Sequence, residues 1–294
     1  MTTHRVQAGV PSGGQFTTLS RPEAEVELGL RYENGWIPLK DQTPQELAHS
    51  ISVEMLDAHG RDSDATSAVE GAIMLAWYAH DGQFRQSPTI ASTGTPLAGS
   101  EPYLVHPLRN AVRILRWGEA DPDIVAAAVL HDVVEDHAGK LAALDVTRRH
   151  RVRGDRAQRA AALDLLRSDF GGRVADIVEA VSNPLRDPGS NPNREQKRAV
   201  YVEHVTGAID DYQAFMVKAA DFVDNALSLH HQETGTDASR YRAWKYGPLC
   251  PVFTAAADRH QDAGRRLHPE LLAKLTGAQD YLERINRVGT EHRA

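Results

Sequence analysis

Six consecutive positions, His131 to Asp136, carry an imidazole and three carboxylates inside the otherwise apolar stretch Ala126–His137. On a helix, positions i, i+1, i+4 and i+5 are expected to share one side, so His131, Asp132, Glu135 and Asp136 would project into one small volume. Val129, Leu130, Val133 and Val134 imply that core walls this volume. Clustered carboxylates in such a place are costly. A bound cation is the cheapest compensation, because it turns mutual repulsion into shared attraction. An ordinary exposed acidic helix end is the bland alternative, and the Ala/Val run before the motif argues against it. Two other stretches join this one. Lys218, Asp221 and Asn225 lie one helical turn apart within Phe215–Leu229 and point roughly one way. His106 stands directly before Pro107, a usual first-turn proline. Taken singly, His106 reads as a capping histidine and Asp221 as the partner of Lys218; the joint pattern shifts the balance toward a site.

The elements that must position these groups are helical. Thr43–Ala58 opens with an N-cap candidate at Thr43. Ser67–His80 has apolar residues at 69, 72, 73, 76 and 77, the stripe of an amphipathic helix. Helical patterns continue over Pro107–Trp117, Asp121–His137, Asp155–Asp169, Arg173–Ser182, Asn193–Val205, Tyr212–His230, Ser239–Lys245, Pro251–Arg266 and Pro269–Arg287. Residues 81–101 read as a Gly/Ser/Thr/Pro-rich loop, and Gly35–Leu39 as a turn or edge strand. The predicted fold is all-α, a compact helical bundle. Residues 1–40 are expected to form a partly disordered N-terminal extension and residues 41–294 the folded domain. The net charge of −7 argues against bulk binding to nucleic acid or anionic membrane. The single cysteine, Cys250, excludes an internal disulfide and fits a reducing, cytoplasmic setting. No apolar run approaches membrane-spanning length.

In order along the chain, His80-Asp81-Gly82-Gln83-Phe84-Arg85, Tyr103–Pro107, His131–Asp136 and Lys218–Asn225 match H-x-G-Q-x-R, Y-x-x-H-P, H-D-V-V-E-D and K-x-A-D-x-x-x-N. This arrangement resembles the HD-domain hydrolases of the RelA/SpoT-homologue type, particularly the stand-alone small alarmone hydrolases, over about Ser67 to Leu229. The resemblance implies that His106, His131, Asp132 and Asp221 ligate one divalent metal, usually Mn2+. Two imidazoles and two carboxylates without a thiolate suit a dication that keeps open water positions. It further implies that Glu135 and Asp136 position and deprotonate the attacking water, and that Arg85, Ser87, Lys218 and Asn225 contact substrate. His80 and Tyr103 would support the site.

The matching substrates are guanosine tetra- and pentaphosphate, cleaved at the 3′ position to release pyrophosphate. Gln86 stands where the family usually has lysine, the loop Pro88–Ser100 is long, and His137 replaces a common threonine. These departures lead us to expect relaxed purine choice, with adenosine counterparts also cleaved. The chain ends too soon after the motifs to hold a synthetase domain, so hydrolysis without synthesis is expected. An antitoxin role against a cognate alarmone-synthetase toxin is a reasonable physiological expectation. The alternatives are an HD phosphohydrolase for other nucleotides or RNA 3′ ends, and a non-catalytic toxin-binding module. Arg148, Arg149, Arg151, Arg153, Arg156 and Arg159 read first as a solvated charged face.

Overall fold

The structure, a computed structural model, describes residues 31–32, 35–36, 38–61, 63–85, 101–145, 152–185, 189–227 and 237–291. The expected N-terminal tail (residues 1–19), Gln86, Ser87, the loop 88–100 and Arg148, Arg149 and Arg151 lie outside the described residues. The chain divides into two units, Met1–Pro38 and Leu39–Ala294. Within the first, β1 (Arg31–Tyr32) and β2 (Gly35–Trp36) form a two-residue antiparallel ladder.

The second unit is all-α. After a 3-10 turn at Leu39–Asp41 come α1 (Pro44–His59), α2 (Asp64–Ala79), α3 (Val105–Arg116), α4 (Pro122–Leu130), α5 (Val133–Ala142) and α6 (Asp155–Phe170). There follow α7 (Gly172–Val181), α8 (Arg194–Ala208), α9 (Tyr212–Ala226), α10 (Asp237–Tyr246), α11 (Leu249–Asp262) and α12 (Pro269–Glu291). Local chemistry sets the starts. Thr43 and Glu46 form a reciprocal capping box before α1, and Asn193 and Gln196 form another before α8. Asp121 caps α4 ahead of Pro122, and Asp211 accepts from the Gln213 and Ala214 N–H groups at the start of α9.

The centre of the unit is built from α3, α4 and α9. α4 is buried from Ile124 to Leu130, and α3 from Val105 to Leu115. α3 packs on both α4 and α9, α1 and α2 cover one side, and α7 closes another. Elements buried all round need apolar residues all round, which is why α4 reads PDIVAAAVL. Among the described residues, no helix is long and apolar enough to cross a membrane.

One expectation is corrected. Asp121–His137 is not one helix: α4 ends at Leu130, α5 begins at Val133, and His131–Asp132 form the turn between them. A continuous helix would have turned consecutive side chains about 100° apart. Here both residues keep right-handed helical dihedrals, so the break is slight, and both side chains reach one pocket. The Asp132 carboxylate does not cap α5; it accepts from the Tyr103 hydroxyl at 2.6 Å.

Candidate metal centre

Three elements meet at the pocket: the start of α3 brings His106, the α4–α5 turn brings His131 and Asp132, and α9 brings Asp221. His106 Nε2 lies 3.2 Å from Asp221 Oδ1 and 3.6 Å from Asp132 Oδ2. His131 Nε2 lies 3.1 Å from Asp132 Oδ2 and 3.9 Å from Asp221 Oδ1. Four donor atoms bonded at about 2.1 Å to one centre stand roughly 3.0–3.4 Å apart; two of these spacings match that and two are wider. The donor atoms of His106, His131 and Asp221 all lie within 4.8 Å of one another, as a group that could hold a divalent cation does.

The two imidazoles are oriented alike. His131 Nδ1 donates to the Ala128 carbonyl at 2.9 Å and His106 Nδ1 donates to the Asp224 carboxylate at 2.7 Å. A carbonyl or an ionised carboxylate can only accept, so each ring carries a proton on Nδ1 and turns Nε2 toward the pocket. His131 Nε2 is buried and faces the Asp132 carboxylate at 3.1 Å.

Charge accounts for the ionisation of the site. Burial opposes the carboxylate form of Asp221, but Lys218, whose Nζ donates to Asp221 Oδ2 at 3.1 Å, and His106 hold it well below its usual range. Burial would also lower His131; Asp132 and Asp221 override it and push it up to about 9. Asp132 is lowered by His131 against the same desolvation.

Glu135 and Asp136, a helical turn further along α5, are exposed and are held by different partners, close enough to the pocket for the Asp132 charge to act on Asp136. Both oxygens of Glu135 accept from the Asn183 side chain, and Oε2 also from its backbone N–H at 3.0 Å. Asp136 Oδ2 accepts from Gln83 Nε2 at 3.1 Å, while Gln83 Oε1 accepts from His80 Nδ1 at 2.6 Å and His137 Nε2 at 2.8 Å. Burial, then the nearby Asp132 charge, pushes Asp136 up to about 6. His80, Asp136 and His137 would themselves make a second ligand cluster, but the Gln83 amide already joins them. His80 stacks on Tyr103, ring centroids 4.9 Å apart, and burial lowers its pKa to about 4.

The residues expected to meet substrate are engaged within the protein. Lys218 is buried against Asp221, Asn225 donates to Asp221, and Arg85 donates to Asp224 at 3.0 Å and to Asn225 at 3.2 Å. Sequence reasoning passed over Asp224, Arg109, Arg113, Glu101 and Asn183. The available signal was two arginines four apart, Arg109 and Arg113, inside a helix buried on every side.

The HD domain family model matches residues 88–244, more than half of the chain. This chain belongs to the HD-domain family. Beyond its HD domain it is similar to longer curated proteins. The guanosine-3′,5′-bis(diphosphate) 3′-pyrophosphohydrolase of Vibrio cholerae serotype O1 is 28% identical over 239 residues, 71% of this chain and 29% of that protein. The protein of the same name from Haemophilus influenzae is 28% identical over 229 residues, 73% of this chain and 28% of its own. The bifunctional (p)ppGpp synthase/hydrolase SpoT of Escherichia coli K12 is 26% identical over 166 residues, 56% and 18%. The chain thus spans less than a third of the length of these relatives.

Proposed function

We propose that this HD domain is a metal-dependent alarmone pyrophosphohydrolase. Water would cleave the bond between the ribose 3′ oxygen and its diphosphate in (p)ppGpp, leaving a 3′ hydroxyl and pyrophosphate. The observation that carries the reading is the convergence of His106, His131, Asp132 and Asp221, with Glu135 and Asp136 at its mouth, in a chain similar to pyrophosphohydrolases of that substrate. His106, His131, Asp132 and Asp221 would hold the ion, with Mn2+ the expected metal. A dication bound there acidifies water and polarises phosphoryl oxygens.

The chain's own groups supply the rest. Asp136, with its pKa near neutrality, accepts the proton of the attacking water, and the Gln83 amide fixes the carboxylate that does so. Glu135, held by Asn183, orients that water from the other side. Lys218 keeps Asp221 ionised. Arg85 and Asn225, adjacent to each other at the rim, together with Ser87, receive the nucleotide. With glutamine instead of a second cation at position 86, the polyphosphate is held less tightly and purine choice is relaxed to include adenosine alarmones. An antitoxin role against an alarmone-synthetase toxin in the cytoplasm would act through this catalysis.

The test is a panel of (p)ppGpp, the adenosine analogues and 3′-phosphorylated RNA ends with Mn2+, scored for released pyrophosphate and phosphate. Pyrophosphate from the alarmones is expected. Metal bound with no turnover of any pyrophosphorylated nucleotide would overturn the reading in favour of a binding module. Gln86→Lys should lower KM and leave kcat nearly unchanged; no effect on either constant sinks the account of position 86.

A further inference from the structure

A second carboxylate, Asp224, is more deeply buried than any of the four pocket side chains and touches more charge. Its side chain is 0% exposed, and it follows Asp221 by three residues on α9, facing α3. His106, Arg109 and Arg113 form an i, i+3, i+7 stripe on α3 that meets it. Asp224 Oδ2 accepts from His106 Nδ1 at 2.7 Å and from Arg85 Nη1 at 3.0 Å, while Oδ1 lies 3.1 Å from Arg109 Nε and 2.8 Å from Arg113 Nη2. Arg109 is in turn paired with Glu101 at 2.7 Å.

So many charges removed from water are not a cheap source of stability, since their desolvation offsets most of the mutual attraction. What the cluster secures is geometry. One carboxylate with three guanidiniums around it has a single available position, and from that position it fixes the tautomer and plane of one imidazole. Carboxylates hydrogen-bonded to the far nitrogen of a metal-bound histidine do this work widely, and their loss typically weakens metal binding about 10- to 100-fold.

We infer that Asp224 is the positioning residue of the metal centre: anchored by Arg109, Arg113 and Arg85, it holds His106 by Nδ1 with Nε2 turned toward Asp221. The inference rests on the metal-centre reading above. It adds that the Arg85 side chain, at the nucleotide rim, shares its anchor with a metal-facing histidine.

The experiment reads metal binding rather than turnover, by competition of the full chain with a fluorescent chelator for Mn2+. Asp224→Asn keeps the shape and removes the charge, and should weaken Mn2+ binding about 10- to 100-fold. In a His106→Gln background the same substitution should change affinity less than about twofold, because its effect passes through that ring. An equal loss in both backgrounds would make Asp224 merely structural and overturn the inference. Unchanged affinity in the single mutant would do the same. If His106→Gln itself leaves Mn2+ affinity intact, the metal assignment fails, and the inference with it. Should Asp224→Asn not fold, the charge-balanced Asp224→Asn/Arg113→Gln pair takes its place. Nitrogen-15 NMR of histidine-labelled wild type with diamagnetic Zn2+ needs no variant of Asp224. It should show His106 protonated on Nδ1, and protonation on Nε2 instead would overturn the proposal.

Discussion

At the scale of single residues, His131 and Asp136 give the site two separate pH dependences. With no ion bound, Asp132 and Asp221 keep a proton on His131 up to about pH 9, and that proton must leave before Nε2 can ligate. Apparent Mn2+ affinity should therefore fall roughly tenfold for each pH unit below about 9, measurable by the same chelator competition. Affinity independent of pH between 6 and 8 would show that His131 is not a ligand. In the proposed reaction Asp136 would act later, on the attacking water. Below about pH 6 it is protonated and cannot accept from water, so kcat/KM at saturating metal should rise with pH up to about 6 and then level off. Asp136→Asn and Glu135→Gln should keep the metal and lose about two to four powers of ten in kcat. Loss of metal in either would move that carboxylate into the ligand set. The titrating groups are themselves readable in the sequence, because their types and spacing are chemical. Asp224 is not, since a carboxylate six residues after Lys218 looks like any helical acid until Arg109 and Arg113 are seen to face it.

Single elements show where periodicity suffices and where it fails. The amphipathic stripes of α2, α6 and α7 follow a 3.6-residue period, and the helices lie close to where that period puts them. The α4–α5 break leaves no such trace, because the Ala/Val run favours helix straight through it. Hydrogen bonds from distant positions, Tyr103 to Asp132 and Gln83 to Asp136, flank it in the structure. Tyr103→Phe should accordingly leave the fold intact and loosen Asp132, weakening Mn2+ binding several-fold, by at most the roughly 100-fold scale of such outer contacts. Titration of the variant at wild-type affinity would leave that hydroxyl without a part in the site. The arginine-rich segment also divides at this scale. Arg153 and Arg156 are exposed, as a solvated face would be, but Arg159 donates to the carbonyls of Ser182 and Asn183, the residue that grips Glu135.

Across the whole molecule, the all-α bundle was legible because helices follow one another with short turns and no alternating pattern interrupts them. The way that α3, α4 and α9 converge was not legible, since nothing local encodes which buried helix meets which. That convergence makes the ion a cross-link between elements distant in sequence. Mn2+ at about 100 times its Kd should stabilise the fold by about 2.7 kcal/mol, a Tm rise of roughly 4–5 °C in a chain of this size. Calorimetry with and without chelator measures it. His131→Ala should abolish the shift, and a shift of wild-type size in that variant would place the ion elsewhere. The spread of the four pocket residues, from position 106 to position 221, has a consequence for biosynthesis. A ribosome that has translated α3 and the turn after α4 has made three of the four, yet the carboxylate that completes the set is on α9. A nascent or prematurely terminated product ending before α9 cannot bind the ion as the finished protein does, so every truncated copy of this kind is born inert.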